Sequence, residues 1–482
     1  MEGSLLKKKS FSKNVLVYFF GGILAAGANF FLAPIYLRAL SETDFGIWSQ
    51  FLLFQQLFQI VMSWAMMAAM IRLLVGVEDD VKKAFIHSAI NSCFILNIFI
   101  IFIFYFFLII FNLKQFIDYE DLIIIGFALL SSSFFVFPSI LMGYYIAHSE
   151  AIKFRSLSIL AFLIQFTFII VGINLFELDY YIAIGISVFG MFVFSSICLI
   201  ILIRMSGYKL TFSHSKQLLL FSSPLIVYAL ITQGYDMIIR FALLIVVTPE
   251  DFGIFSATLL YSSIAAMVAS ALNLSWAPLF FGNAEKWITN NIYFDYVKVS
   301  TSFIAIISCF LFVFWQEILA VYFGYLPDIS TLFVGLLCIS SWMTSVVWTA
   351  FTNPIFEKGL TKKIMIIAIK ALIILAPFAY YLINEFDLLG TSMSLLSYSI
   401  LICYFASNSL KELNIINFPI KDMISILILM LSVVFLLYFE QYYFGDSMIL
   451  RKIFIFSIFL FLLLFPIYKR IPILIRKIES YV

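Results

Sequence analysis

The sequence predicts an all-α, polytopic membrane protein of about 14 transmembrane helices, built as two six-helix lobes related by a parallel repeat plus a C-terminal helix pair. Three observations lead there. First, the 482 residues are 64% hydrophobic and 12% charged, whereas a soluble domain is about half apolar and about a quarter charged. Second, the apolar residues lie in runs of roughly 20 or more, the length that crosses a bilayer core. Third, the basic residues alternate between the two sides of those runs, and part of the chain repeats.

The runs lie near 14–37, 45–71, 84–111, 122–147, 156–175, 181–203, 217–247, 252–281, 299–323, 329–352, 364–384, 388–410, 423–439 and 449–467. Hydrocarbon offers the backbone no hydrogen-bond partner, so runs of this length must be helices. The connections between them are too short for a soluble domain. Lys7, Lys8 and Lys9 ahead of an apolar run, with Ala26-Gly27-Ala28 inside it, could mimic a cleaved signal peptide. The run continues to Leu37, as a retained helix would.

Of the 29 Lys and Arg, 23 fall on the side that holds both termini, from Lys7, Lys8, Lys9 and Lys13 to Lys469, Arg470, Arg476 and Lys477. Only Arg38, Lys114, Arg451 and Lys452 fall on the other side, and Arg240 and Lys370 lie inside spans. This bias predicts cytoplasmic termini. The five cysteines (Cys93, Cys198, Cys309, Cys338, Cys403) all sit in apolar runs with no CxxC pair, which predicts a packing role.

TDFGIWSQFLLF at 43–54 is repeated as EDFGIFSATLLY at 250–261, matching Asp44 to Asp251, Gly46 to Gly253 and Ser49 to Ser256. Ser63-Trp64-Ala65 has a looser echo in Ser275-Trp276-Ala277. Each copy follows a long run containing proline, Pro34 or Pro224, and the offset equals six spans. The copies therefore share one orientation. An Asp at this point can cap a helix, and Gly allows close approach; the motif shapes a hairpin rather than performing chemistry. The expected divisions are 1–204 and 205–420 for the lobes and 421–482 for the added pair.

The pattern Pro34-x-x-x-Arg38-x-Leu40-Ser41-x-x-Asp44-Phe45-Gly46-Ile47-Trp48 and its second copy resemble the polysaccharide-transport branch of the multidrug/oligosaccharidyl-lipid/polysaccharide (MOP) exporter superfamily. Gln233-Gly234-Tyr235-Asp236-x-x-x-Arg240 and Trp276-Ala277-Pro278 are similar to the seventh and eighth helices of its Wzx-type O-antigen flippases. The topology matches over the whole chain, the motifs only over spans 1–2 and 7–8. The resemblance implies a flippase of the bacterial cytoplasmic (inner) membrane. Its cargo would be an undecaprenyl-diphosphate-linked oligosaccharide, moved to the outer leaflet by alternating access. It implies lipid-linked oligosaccharide and membrane lipids as partners, with a polysaccharide polymerase and a chain-length regulator nearby, and no nucleic acid.

Such a cargo needs hydrated, cationic surroundings, because an unpaired charge in hydrocarbon costs several kcal/mol or more. Polar residues inside spans are therefore the candidates. Asp236 and Arg240, spaced i, i+4, share one helix face with Gln233 near the middle of span 7. Arg240 would hold phosphate, and Asp236 would neutralise it or exchange protons; a structural ion pair is the competing reading. Gln55 and Gln59 lie on one face of span 2 and suit sugar hydroxyls, or else bond neighbouring helices. Asn29 and Asn273 are weaker cases of the same kind. Arg38 and Arg72, at opposite ends of spans 1 and 2, could meet phosphate in different states, or cap and anchor. Lys370 can snorkel to the interface, and His87 suits an interfacial role better than a proton relay.

No cofactor or metal is expected, and coupling to protons or sodium is left open. Span 1 lacks the acid that proton-coupled multidrug relatives carry, which disfavours a drug exporter. A lipid II flippase would carry several arginines in its first helices, and here span 1 offers only Arg38. A membrane-embedded polymerase or glycosyltransferase needs a sizeable outer loop with convergent polar residues. The loops here are short, and no H-E-x-x-H, Walker A or dinucleotide-binding pattern occurs.

Overall fold

The computed structural model describes residues 32, 34–74, 77–110, 119–148, 150–176, 178–289, 291–324, 327–357, 361–412, 419–444, 449–468 and 470–472. These residues are helical almost throughout. Ten helices among them are long and apolar enough to cross a membrane, or eleven if one bent pair forms a single span. Residues 14–31, most of the first expected span, lie outside the described residues, so the fourteen-span count is a proposal rather than an observation.

The chain forms two compact units, Ile35–Met237 and Met1–Pro34 with Ile238–Val482. Their boundary falls later than the lobe division at 204/205 drawn from the repeat. The first unit contains α1 (Glu42–Met62), α2 (Met66–Leu73), α3 (Asp79–Ile110), α4 (Tyr119–Phe134), α5 (Val136–Ala147), α6 (Ala151–Leu175) and α7 (Tyr180–Ser206). The boundary cuts α8 (Ser215–Val246). The second unit continues with α9 (Pro249–Ser262), α10 (Ile264–Thr289), α11 (Ile292–Val313), α12 (Trp315–Phe323) and α13 (Thr331–Val346). One π-helical turn, Val347–Phe351, leads into α14 (Thr352–Glu357), followed by α15 (Thr361–Glu412), α16 (Ile420–Phe444) and α17 (Ile449–Tyr468).

Both copies of the repeat begin with the same cap. Ser41 Oγ accepts the Asp44 N–H at 3.1 Å and donates to Asp44 Oδ2 at 2.6 Å. Thr248 Oγ1 accepts the Asp251 N–H at 3.2 Å and donates to Asp251 Oδ2 at 2.8 Å. The hydroxyl residue is thus the N-cap, and the repeated Asp is its partner one turn into the helix. There the carboxylate also meets the positive end of the helix dipole.

The copies then diverge. In the first, the helix breaks at Ser63, where Trp64 and Ala65 take left-handed φ angles of 53° and 48°. A left-handed residue other than Gly costs about 1–2 kcal/mol. Asn97 of α3 braces the break: its Oδ1 accepts from Trp64 Nε1 at 2.8 Å, and its Nδ2 donates to the Met62 and Ser133 carbonyls at 3.1 Å each. In the second copy the break comes at Ser263, and Trp276 lies within continuous α10, its ring stacked on Tyr296 at 3.6 Å.

The expected pair of spans at 364–384 and 388–410 is present within the 52 residues of α15. Asp387 is non-helical (φ 46°, ψ −119°), and a Cβ on Gly390 would collide with the Leu382 carbonyl oxygen. In a straight helix, residues eight apart are about 12 Å apart along the axis. The chain therefore reverses at Asp387, and only glycine fits at Gly390.

Helix pairs approach closely where side chains are small. A Cβ on Gly143 of α5 would lie 2.7 Å from the Met67 carbonyl oxygen and 2.8 Å from Met70 Cβ on α2. At Gly185 of α7 the same atom meets nothing within 4 Å. We expect Gly143→Val to destabilise the purified protein by about 1–3 kcal/mol through overpacking. Gly185→Ala should leave the thermal unfolding midpoint unchanged or higher. Equal midpoints for Gly143→Val and wild type would contradict the close α2–α5 contact.

Candidate functional site

The residues that could carry transport centre on α8, whose entry is anchored from α3. Asn91 Nδ2 donates to the Lys209 and Thr211 carbonyls at 3.2 and 3.1 Å, and Asn91 Oδ1 accepts from Tyr208 OH at 3.2 Å. Ser88 Oγ accepts the His214 N–H at 3.2 Å, Ser92 bonds Ser215 at 2.6 Å, and the His87 ring nitrogen meets the Gly207 carbonyl. One polar face of α3 thereby fixes the segment that starts α8. His87 is buried in this contact.

Pro224 interrupts the first half of α8, yet the sharp bend is elsewhere. Ser215–Ile231 and Gln233–Val246 meet at 47°, eight residues beyond the proline. The polar stripe starts on the far side of this bend. Gln233 is exposed, and Asp236 and Arg240 are half-buried. Tyr235, Ile239 and Leu243, also four apart, are fully buried. At 3.6 residues per turn the packed stripe lies about a quarter turn from the polar one. A Cβ on Gly234 would meet no atom within 4 Å. The polar residues therefore occupy the less packed part of the helix surface, while Arg240 Nε is shielded from solvent. A guanidinium so placed can offer several N–H donors to a phosphate.

The other candidates separate into two groups. Gln55 of α1 is buried and donates to Ser131 Oγ of α4 at 2.6 Å, while Ser132 Oγ donates to the Gln55 carbonyl at 2.9 Å. Asn273 of α10 accepts from Asn353 Nδ2 of α14 at 2.8 Å. These amides join helices, as polar side chains between spans commonly do. Gln59, one turn beyond Gln55, is half-buried. Arg38, Arg72 at the end of α2, and Lys370 in the first leg of α15 are exposed. Asn29 lies outside the described residues. Neither Asn97 nor Ser131 stood out in the sequence, because their partners lie 33 to 76 residues away. The same holds for buried Lys452, which binds Gln316 and Glu317 of α12 at 2.7 Å each. Among the described residues no group of three or more His, Cys, Asp or Glu could hold a metal ion.

A scan against protein-family models finds no match, and neither does a search of curated proteins. Solved structures do match. The lipid II flippase MurJ, in an inward closed conformation, aligns with a TM-score of 0.65 and 16% identity, over 95% of this chain and 99% of its own. An inward-facing multidrug resistance MATE family transporter of the MOP superfamily aligns at 0.56 and 12%, over 85% and 95%. A MOP superfamily transporter from Pyrococcus furiosus aligns at 0.53 and 12%, over 84% and 96%. At such low identity these likenesses speak for the fold alone: the chain has the all-helical fold of MOP-superfamily transporters.

Proposed function

We propose that this protein is a flippase that moves an undecaprenyl-diphosphate-linked oligosaccharide, an O-antigen or similar surface-polysaccharide repeat unit, across the bacterial cytoplasmic membrane. The observation that carries the reading is the polar stripe Gln233, Asp236 and Arg240 next to the bend of α8. Two opposite charges in an otherwise apolar span cost several kcal/mol unless each is compensated. A diphosphate cargo supplies a reason to hold Arg240 there, and Asp236 compensates the cation when no cargo is bound. Arg38, Arg72 and Lys370, being exposed, are proposed to meet the head group before or after Arg240. The six-helix lobes at 1–204 and 205–420, with cytoplasmic termini and alternating access, belong to the same proposal.

A lipid II flippase is the second reading. The likeness to MurJ extends over 95% of this chain, against 85% for the MATE transporter, which supports this reading. Both cargoes present a polyprenyl diphosphate, and they differ in the sugars.

Arg240→Ala should abolish surface glycan while the protein stays at its normal level in the membrane, and Arg240→Lys should retain part of the activity, since the charge persists without the fork. Asp236→Asn should reduce glycan about tenfold or more, and Asp236→Glu less. Wild-type glycan with Arg240→Ala would remove Arg240 from the transport route. Loss of cell-wall synthesis with normal surface glycan would favour lipid II as cargo.

A further inference from the structure

A second polar site lies away from α8, at one end of α11, α16 and α17. A cavity of about 170 Å³ is lined by Lys298 and Ser302 of α11, by Asp422, Ser425, Ile426 and Leu429 of α16, and by Leu462, Leu463 and Arg470 at α17 and just beyond it. Lys298 Nζ lies 2.5 Å from Asp422 Oδ2, and Arg470 Nη1 lies 3.4 Å from Asp295 Oδ1. The charge bias puts this end on the cytoplasmic side.

On each of the three elements the charged residue lies outermost. On α11, Lys298 is followed one turn inward by Ser302. On α16, Asp422 is followed by Ser425 and then by Leu429, about 10 Å deeper at 1.5 Å per residue. Past α17, Arg470 stands about as far outward from Leu462 and Leu463. The cavity is therefore charged at its rim, mixed in its middle, where Ser302 and Ser425 stand with Ile426, and apolar at its depth. A phospholipid has the same order: charged head group, ester oxygens, acyl chain. At the rim Lys298 pairs with Asp422, and Arg470 pairs with Asp295, which is not itself part of the lining, so the charges balance and favour neither a purely anionic nor a purely cationic guest.

We propose that this cavity binds a zwitterionic aminophospholipid of the bilayer, its phosphate on Lys298 and Arg470 and its primary ammonium on Asp422. An ammonium has three N–H donors for the carboxylate. A quaternary choline has none, and a glycerol head group leaves the carboxylate facing an anion. The site thus selects ethanolamine over choline and glycerol head groups, independently of the cargo carried along α8.

The test is lipid retention by the full-length protein, purified in detergent, exposed to an equimolar mixture of phosphatidylethanolamine, phosphatidylcholine and phosphatidylglycerol, and measured by native mass spectrometry. Wild type should retain phosphatidylethanolamine preferentially. Lys298→Ala should lower that retention about tenfold, the effect of one charge-assisted hydrogen bond. The isosteric Asp422→Asn should shift preference toward phosphatidylglycerol, because it leaves the cations in excess. Leu429→Trp, which fills the apolar depth and leaves the rim intact, should lower retention of all three lipids. Equal retention of the three by wild type would overturn the proposal. So would an unaltered preference in Asp422→Asn, or displacement of phosphatidylethanolamine from the cavity by lipid-linked oligosaccharide.

Discussion

Hydrocarbon gives the peptide group nothing to bond to, and this constraint organises the whole chain. It forces the apolar runs into helices and makes every interruption of a helix a place where other groups must compensate. The break after α1 shows how. Two left-handed residues, Trp64 and Ala65, persist because Asn97 binds the Trp64 indole and the Met62 carbonyl together. The reversal within α15 uses the other solution, a residue without a side chain at Gly390. The bend of α8 differs from both, since the groups gathered beside it include an acid and a base.

That difference separates two uses of polarity within spans. Gln55 with Ser131, and Asn273 with Asn353, are neutral pairs whose bonds close between helices. Such contacts are worth about 0.6 to 2 kcal/mol in a membrane and suffice to fix helix register. A charge within a span costs more than such a bond returns. Asp236 and Arg240 therefore call for a purpose beyond helix packing, and the diphosphate of a lipid-linked cargo is the purpose we propose. The graded cavity at Lys298, Asp422 and Arg470 lies at helix ends, where charges reach the interface at little cost. There the same residue types suit a resident lipid.

The fold was largely legible in the sequence, because hydrophobic length is a local signal. Thirteen of the fourteen runs correspond to described helices or helix pairs, and even the reversal at Asp387 falls between two expected spans. The breaks were less visible. The sequence around Ser63 contains neither proline nor glycine, and the left-handed turn there depends on Asn97, 34 residues downstream of the break. The stripe on α8 could be seen because any charge stands out in an apolar run. Whether an amide such as Gln55 faces a cavity or a neighbouring helix depends on Ser131, and no local pattern in the sequence encodes that contact. The lipid cavity draws on positions as far apart as 298, 422 and 470, so only the folded chain brings it together.

The central claim is that the polar stripe of α8 is reached by water within the membrane. Cysteine accessibility tests it most directly. With the five native cysteines replaced, Gln233→Cys should react with a membrane-impermeant thiol reagent. Ile373→Cys, at a mid-span position that is 67% exposed on an apolar surface of α15, should react only with a lipid-soluble one. If Gln233→Cys behaves like Ile373→Cys, the stripe faces acyl chains and the account fails.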